Sequence, residues 1–381
     1  MRTTLSLITL NQRINGRLYH DCKCNGTNIT ETDLVEKTLY HRTECLFCII
    51  ASIALLISGC ATTRLGSSGQ RKLAGKTFVI IGASSGFGRG VAEQLGAYKA
   101  NVVLAARRTD LLEEIAGRIQ TAGGTALVVT MDITKPEDVQ RLTQATLNKY
   151  QKIDVWINMA GVGAIGRFWE IPVADQARIV DVNLKGFVYG SHAALNQFNA
   201  QGYGTLINMG SVESENPLAY HASYAATKGG ILHLGQAINH ELRLSGKKKI
   251  KVVTVEPWAT DSPFWQHAAN YSGGTARMAA MDPPSKVVNA VIRASLRPRQ
   301  ELPVGWKAKG AWYSHHLFPH FTEWLSANII HRYQIKNAPP APPTSGSAFE
   351  PMESGRGVDD GVRARMKKER KERKAQKRRN K

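Results

Sequence analysis

Short apolar strands that alternate with helices are the feature of this sequence that most constrains its fold. The predicted strands are Thr77–Ile81, Asn101–Ala106, Thr125–Thr130, Ile153–Asn158, Thr205–Met209 and Lys251–Val255. Segments with helical periodicity fill the intervals between them. Such alternation predicts βαβ units, in which helices cover both faces of a parallel sheet. We therefore expect a doubly wound α/β domain.

A glycine-rich turn follows the first strand and opens the first long helix. Its sequence is Gly82-Ala83-Ser84-Ser85-Gly86-Phe87-Gly88. Glycines are needed here because the chain turns sharply and its backbone must approach a pyrophosphate closely. The helix that begins near Gly86 offers its N–H groups and the positive end of its dipole to that anion. Because the turn lies between a strand and a helix, it predicts a dinucleotide site at Gly82, Ser84, Ser85, Gly86, Phe87 and Gly88.

The glycine spacing and the residues downstream resemble the short-chain dehydrogenase/reductase family, in its NADP(H)-preferring branch. The matching residues follow in the family's order: Asp132 with Ile133, Asn158 with Ala160 and Gly161, Asn183, Ser211, Tyr224, Lys228, Pro257 and Ser262. The resemblance covers about residues 74–305. It implies a Rossmann-like sheet in a single catalytic domain over 74–336, including a C-terminal helix. It also implies an NADP(H)-dependent oxidoreductase that interconverts a carbonyl and an alcohol.

The resemblance assigns a role to each matching residue. Asp132 is implied to contact the adenine ring, and the other implied cofactor contacts are Ile133, Asn158, Ala160, Gly161, Pro257 and Ser262. The implied catalytic set is Ser211, Tyr224, Lys228 and Asn183. The sequence departs from the family pattern where Met159 replaces an asparagine, Trp258 a glycine and Ser262 a threonine.

The end of the second strand indicates which dinucleotide binds. The strand ends at Ala106 and is followed by Arg107 and Arg108. NAD enzymes of this fold typically place Asp or Glu here, to accept hydrogen bonds from the ribose hydroxyls. An arginine can instead hold a 2′-phosphate with its planar fork of donors. The pattern favours NADP(H) over NAD, and the alternative is an ordinary pair of surface arginines.

Tyr224 and Lys228 lie four residues apart in a predicted helix, so both project from one face. A phenol with a pKa of about 10 is a poor acid or base at neutral pH. We expect the Lys228 ammonium to lower the pKa of Tyr224. Ser211 follows the fifth predicted strand, where its hydroxyl can polarise a substrate carbonyl. By the same resemblance, Asn183 completes a proton relay through water to Lys228.

The residues expected to cover the cleft, 259–285, indicate a hydrophobic substrate. They include Phe264, Trp265, Tyr271 and Met278, which favours a lipid-like, acyl or polycyclic carbonyl or alcohol. No cysteine occurs after Cys60, and the sequence predicts no metal site. A non-catalytic NADP(H)-binding sensor or scaffold is the alternative function. The family resemblance implies a homodimer or a homotetramer.

The N-terminal segment predicts attachment to a membrane. Residues 1–44 are polar and expected to be disordered, whereas no charged residue occurs from Cys45 to Thr63. This stretch fits a membrane anchor or a lipoprotein-type signal in which Cys60 is lipidated. An exported lipoprotein would lack NADPH, so the cytoplasmic face is favoured for the catalytic domain.

The C-terminal segment carries much of the charge. The chain has a net charge of +20, of which twelve Lys/Arg and two Glu contribute +10 between Arg363 and Lys381. A Pro-rich linker precedes this block, so 337–381 is expected to be disordered, with no specific nucleic-acid partner. Upstream, Ala311–Arg332 has the composition of an amphipathic helix. It is expected to cover the cleft, to lie on a membrane or to pack on the domain.

Overall fold

A seven-stranded parallel sheet forms the centre of the protein. The computed structural model describes residues 62–379, apart from the side chain of Lys377, so the predictions for 1–44 and for nearly all of 45–63 lie outside it. The sheet has the order β3-β2-β1-β4-β6-β7-β9, and every pairing in it is parallel. Its strands are β1 Thr77–Ile81, β2 Asn101–Ala106, β3 Thr125–Thr130, β4 Val155–Asn158, β6 Gly204–Met209, β7 Ile250–Pro257 and β9 Glu301–Val304.

Helices surround the sheet in the predicted doubly wound α/β arrangement. In chain order they are α1 Ser67–Arg71, α2 Gly86–Ala97, α3 Thr109–Thr121, α4 Pro136–Tyr150, α5 Val173–Val180, α6 Gly186–Gln201, α7 Ala222–Leu244, α8 Phe264–His267, α9 Pro284–Leu296, α10 Gly305–Leu317, α11 Pro319–Ile330 and α12 Val362–Arg379. Helix α2 packs against α3 and α9, while α4 packs against α6 and α5 against α7. Two short strands, β5 Ala164–Ile165 and β8 Ala269–Asn270, pair outside the main sheet.

The strand order places a crevice at the carboxyl ends of β1 and β4. The chain runs outward from β1 through β2 to β3, and then returns to the other side of β1 at β4. Ligands of open parallel sheets bind where the order reverses in this way. Every residue of β1 and of β4 is buried, as expected for strands covered on both faces.

Helices α5 and α6 form one continuous helix that changes its winding at Asn183. The residues between them, Asp181–Lys185, make a π-helical turn. Such turns are rare and often mark functional positions. The Asn183 side chain is fully buried there, so the irregular turn points its amide into the protein.

Two elements differ from the sequence prediction. Strand β9 is short and contains Pro303, and its residues Glu301–Val304 lack the alternation that signals a strand. The single helix expected over Ala311–Arg332 is instead two helices, which separate at Pro319 because proline cannot continue the hydrogen-bond ladder.

The C-terminal segment also differs from the prediction of disorder over 337–381. Residues 344–357, which we call the strap, lie against the domain and end shortly before α12. Asp261 accepts hydrogen bonds from the first N–H groups of α12, at Val362 and Arg363. Arg277 forms a two-pronged ion pair with Glu369 on the same helix. Composition predicted a solvated tail, but these specific contacts order its first turns.

The described residues contain no helix that is long and apolar enough to cross a membrane.

Candidate active site

One cavity of about 620 Å³ follows the carboxyl ends of the strands. It brings together the predicted catalytic residues Ser211, Tyr224 and Lys228. It also reaches nearly all the predicted cofactor residues, namely Gly82, Ser84, Ser85, Gly86, Phe87, Gly88, Arg107, Arg108, Asp132, Ile133, Ala160, Gly161, Pro257 and Ser262. Residues that are distant in sequence thus share one cleft.

The glycine turn forms a tight cradle at one end of the cavity. Gly82 has φ +91°, and a Cβ placed on it would lie 2.6 Å from the backbone nitrogen of Ala160. A Cβ on Gly88 would lie 2.0 Å from the carbonyl oxygen of Gly82. Larger residues at these two positions would push the turn away from β4. The cradle therefore fits a dinucleotide pyrophosphate, which requires close backbone approach.

Arg107 and Arg108 lie beside the cradle at the end of β2. Arg108 donates to the hydroxyls of Ser84 and Ser85, at 3.1 and 2.8 Å. Arg107 donates instead to backbone carbonyls of the strap, at Phe349 (2.6 Å) and Ser347 (2.8 Å). Both residues line the cavity, so this end has arginines of the kind that bind phosphate.

Asp132 is held by Arg178, a residue that the sequence argument missed. Arg178 donates to Asp132 Oδ2 at 2.8 Å, and Thr134 donates twice to Asp132 Oδ1. Burial raises the pKa of Asp132, but the hydrogen bonds from Thr134 and Arg178 outweigh it and leave the pKa below its usual range. No motif marks Arg178, since it acts through its place on α5.

Asn158 is not among the residues that line the cavity, and its predicted cofactor contact stays a prediction. Its side chain is fully buried between the sheet and α6. It accepts from the indole of Trp156 at 2.8 Å and donates to Asn208 at 2.9 Å and to Ser191 at 3.3 Å. The Asn158 amide thus connects β4, β6 and α6 through hydrogen bonds, and its side chain stabilises the core.

Ser211, Tyr224 and Lys228 meet at the centre of the cavity. Ser211 follows β6, and its hydroxyl accepts from the Glu213 N–H at 3.1 Å while bonding to the Tyr224 phenol. The Lys228 Nζ lies 5.5 Å from the centre of the Tyr224 ring and donates to the Met209 carbonyl at 2.6 Å. One turn of α7 and one strand end thus place a phenol, a hydroxyl and an amine together.

Burial dominates the proton affinities of these groups. Burial and the negative charge of Glu213 raise the pKa of Tyr224, and the Ser211 hydrogen bond only partly offsets them. Burial lowers the pKa of Lys228 to about 7, although the Glu213 charge acts in the opposite direction. The sequence had predicted the opposite for Tyr224, a pKa lowered by the Lys228 ammonium. The predicted and observed shifts differ because burial destabilises the charged phenolate and so raises the pKa of Tyr224. The nearby Lys228 amine is itself buried, and its effect on that pKa is smaller.

Asn183 holds the cavity wall and makes no hydrogen bond to Lys228. Its Oδ1 accepts from the Val162 N–H at 2.9 Å, and its Nδ2 donates to the Val162 carbonyl at 2.8 Å. Val162 lines the cavity next to Gly161. In this arrangement Asn183 positions the loop after β4, and the predicted relay to Lys228 stays a prediction.

Glu213 and His221 form a buried pair beside the catalytic residues. His221 Nδ1 and Glu213 Oε1 are 3.0 Å apart, and both side chains are less than 10% exposed. Glu213 lines the cavity, and its Oε2 has no hydrogen-bond partner among the described groups. No sequence motif marks Glu213. Its position two residues after Ser211 was the signal that could have revealed it.

The far end of the cavity is largely apolar. It is lined there by Leu218, Phe264, Trp265, Met278, Leu325 and Ile329. Tyr271, also expected near the substrate, instead donates to Asp175 at 2.6 Å and does not line the cavity. Trp258, which replaces a family glycine, lines the cavity and donates to the Ala280 carbonyl at 3.2 Å.

Comparison with known proteins agrees with this geometry. The sequence model of the short chain dehydrogenase family matches residues 76–271. An uncharacterized oxidoreductase of Bacillus subtilis, YxnA, is 30% identical over 293 residues, which are 76% of this chain and 81% of that protein. A 3beta-hydroxysteroid dehydrogenase of Eggerthella lenta is 32% identical over 209 residues, 54% of this chain and 78% of that protein.

Solved structures show the same fold. A short-chain dehydrogenase from Streptomyces avermitilis matches 66% of this chain and 97% of its own, at 25% identity and a TM-score of 0.56. An alcohol dehydrogenase from Thermococcus sibiricus, solved with 5-hydroxy-NADP, matches 60% of this chain and 94% of its own, at 25% identity and a TM-score of 0.52. With the family match over more than half of its length, the chain belongs to the short-chain dehydrogenases and is an oxidoreductase of that family.

Proposed function

We propose that this protein interconverts a hydrophobic ketone and its alcohol with NADP(H), using Tyr224 as the general acid and base. The observation that carries the proposal is the convergence of Tyr224, Ser211 and Lys228 in one cavity with the glycine cradle. A bound nicotinamide would supply or accept the hydride. Residues of the chain would orient the substrate, stabilise charge on its oxygen and transfer the proton.

In the reducing direction, Ser211 donates a hydrogen bond that orients the substrate carbonyl and stabilises charge on its oxygen. Tyr224 gives its phenolic proton to that oxygen. The raised pKa of Tyr224 keeps the phenol protonated before the reaction, as an acid must be. Lys228, as an ammonium, stabilises the phenolate that remains.

Three observations support NADP(H) and a hydrophobic substrate. Arg107 and Arg108 line the cavity where β2 ends, with alanine rather than a carboxylate at position 106. The substrate end is apolar, with aromatic side chains such as Phe264 and Trp265. The steroid dehydrogenase among the relatives acts on a polycyclic alcohol, which is one of the substrate classes that this cavity suits.

We also propose that residues 45–63 attach the protein to a membrane, with the catalytic domain on the cytoplasmic side. The support is the absence of charge from Cys45 to Thr63 and the cytoplasmic supply of NADPH. Attachment would keep the cavity close to lipid-soluble substrates.

A carbonyl screen tests the function. The full chain is assayed with NADPH against steroid, acyl and small polar ketones, and reduced nicotinamide is followed by absorbance. We expect turnover of polycyclic or long-chain ketones that requires Tyr224. Turnover of small polar carbonyls alone, or NADPH binding without any turnover, would reject the proposed substrate class or the enzyme assignment.

A further inference from the structure

The helical pair α10 and α11 exposes a large aromatic surface. Six of its large side chains are more than half exposed, namely Trp306, Tyr313, Leu317, Phe318, Phe321 and Trp324. Trp306 is 61% exposed and Trp324 62%. We call these six side chains the hairpin surface. Exposed aromatic clusters of this size are uncommon on soluble proteins and mark binding surfaces.

The helices that carry the hairpin surface also line the cavity. Trp306 on α10 and Leu325 on α11 are both exposed to solvent, and both also line the cavity. Ser314 of α10 and Ile329 of α11 line the cavity farther inside. The two helices thus contribute both apolar side chains, such as Leu325 and Ile329, and polar ones, such as Ser314 and Thr322, to the cavity wall.

The charge around the hairpin surface is positive. Residues 305–336 contain Lys309, Arg332 and Lys336 but one acidic residue, Glu323; a fourth cation there, Lys307, is ion-paired with Asp282. Tryptophan and tyrosine favour the boundary between lipid headgroups and acyl chains, and basic residues favour anionic headgroups. The surface thus has the composition of one that lies on an anionic bilayer.

The chain enters the described region beside this surface. A Cβ on Gly305, the first residue of α10, would lie 3.9 Å from Thr62 Cγ2. The uncharged stretch from Cys45 to Thr63 ends in sequence at this point. Thr62, the first described residue, thus lies next to the N-terminus of α10.

We propose that the hairpin surface lies in the interface of an anionic bilayer, so that lipid-soluble substrates pass from the membrane into the cavity. This rests on the proposed attachment through residues 45–63. It adds to that proposal a specific contact surface and a route for the substrate.

Tryptophan quenching tests the contact. The full chain is bound to vesicles of phosphatidylglycerol and phosphatidylcholine whose acyl chains are brominated, which quench tryptophans at the interface. The double variant Trp306→Phe, Trp324→Phe keeps an apolar surface but removes the two reporters. The control is Trp169→Phe, because Trp169 is 80% exposed and lies outside the hairpin.

We expect quenching in the parent protein, loss of most of it in the double variant, and little change in the control. Equal quenching in all three proteins would overturn the hairpin contact while leaving attachment intact. Failure of the full chain to float with vesicles would reject attachment as well. A lipid-free dimer that the pair Trp324→Ser, Phe321→Ser disrupts, with no quenching in the parent, would assign the surface to a second copy instead.

A second inference concerns the strap. Its backbone carbonyls accept hydrogen bonds from the groups that are proposed to bind the phosphates of the cofactor. Arg107 donates to the carbonyls of Ser347 and Phe349, and Arg108 to that of Met352 at 3.1 Å. The Gly86 N–H, in the glycine turn, donates to the Gly357 carbonyl at 2.9 Å. Neutral carbonyl oxygens thus occupy positions that suit the oxygens of a phosphate.

We infer that the strap is an internal competitor that the 2′-phosphate of NADP(H) displaces. This rests on the proposed preference for NADP(H). An arginine bonds more strongly to a charged phosphate than to a neutral carbonyl, so the exchange favours the cofactor. Asp261 and the Arg277–Glu369 pair hold α12 beyond the strap, so a displaced strap remains tethered and can return.

A glycine of the strap offers a selective variant. A Cβ on Gly346, where φ is +56°, would lie 2.2 Å from the His267 carbonyl oxygen. Gly346→Ala should therefore lift the strap without altering either arginine. The matched control is Gly361→Ala, where φ is +69° but the nearest atom to the added Cβ is 3.9 Å away.

We expect Gly346→Ala to tighten NADPH binding about tenfold, because a closed fraction no longer reduces the apparent affinity. The control should bind as the parent does. In hydrogen exchange, NADPH or 2′,5′-ADP should expose the Ser347 amide, which donates to the His267 carbonyl at 2.8 Å, and NADH should not. Weaker or unchanged NADPH binding by Gly346→Ala would overturn the competitor role, whereas absence of NADPH binding in every protein would reject the proposed cofactor.

Discussion

Tyr224 carries out its proposed chemistry among groups that set its affinity for a proton. Burial and the Glu213 charge raise its pKa, while Ser211 lowers it. Lys228, whose pKa falls to about 7, is the partner that can stabilise the phenolate. The pH dependence of the reaction should therefore respond to Glu213 as well as to the catalytic residues.

Glu213→Gln should shift the pH dependence of alcohol oxidation to lower pH. The Glu213 charge raises the pKa of both Tyr224 and Lys228, so its removal lowers both values. The base form of Tyr224 then appears at lower pH, and the acidic limb of the kcat profile moves with it. Glu215→Gln is the control. An unmoved limb in Glu213→Gln would contradict this electrostatic role.

Arg107→Asp should reverse the preference between cofactors. The variant loses a charge-assisted contact to the 2′-phosphate, worth about 1.5–3 kcal/mol, or roughly 10- to 100-fold in NADPH affinity. The new carboxylate can accept from the ribose hydroxyls of NADH. Affinities measured by fluorescence titration check this, with exposed Arg299→Asp as the control. Equal weakening for NADH and NADPH would argue against a 2′-phosphate site.

Among the residues of the site, the sequence predicted those that belong to short motifs. Tyr224, Lys228, Ser211 and the glycine turn lie in one cavity as expected. Glu213 and Arg178 were missed because their roles depend on which elements pack together. Asn158 belongs to the core because its amide satisfies buried groups on β4, β6 and α6, which the sequence near it does not reveal.

Strand β7 ends at the cavity and carries a buried carboxyl group with an unusual proton affinity. Burial raises the pKa of Glu256 to about 8, and the charges of Glu301 and Glu215 add to the effect. The side chain is 1% exposed. Its Oε1 has no hydrogen-bond partner within the described part of the chain. The edge formed by β7 and β9 should therefore lose stability when this group ionises.

Glu256→Gln should stabilise the protein at high pH and not at low pH. The folded pKa of about 8 lies above the ordinary 4.5, so the folded state holds its proton more tightly and stability falls as pH rises through this window. The glutamine variant cannot ionise at this position, so its stability does not fall in this way as pH rises. We expect a gain of up to about 5 kcal/mol in unfolding free energy at pH 9 and none near pH 4. Denaturant titrations at both pH values check this, and a gain independent of pH would contradict it.

The succession of β1, β2, β3, β4, β6 and β7 with their helices was predictable because each of these strands is an apolar run between turn signals. Strand β9 was not, since it is short, lies at the edge and contains Pro303. The strap could not be predicted from the sequence either. Its contacts run mainly through backbone carbonyls, which every residue carries and no composition can mark.

At the scale of the whole molecule, one cavity links two surfaces. Residues of the strap line it beside Arg107 and Arg108, and residues of α10 and α11 line it as well. This arrangement allows a water-soluble cofactor and a lipid-soluble substrate to approach from different parts of the protein. Tyr224, the proposed general acid and base, lines the same cavity.

Single-turnover kinetics of Tyr224→Phe, with NADPH and a ketone identified by the screen, test the central claim most directly. We expect the hydride-transfer rate to fall about 10²- to 10⁴-fold, as for loss of a general acid, while NADPH affinity stays within about twofold of the parent. A variant that transfers hydride at the parent rate would show that another group supplies the proton, and the proposed role of Tyr224 would be wrong.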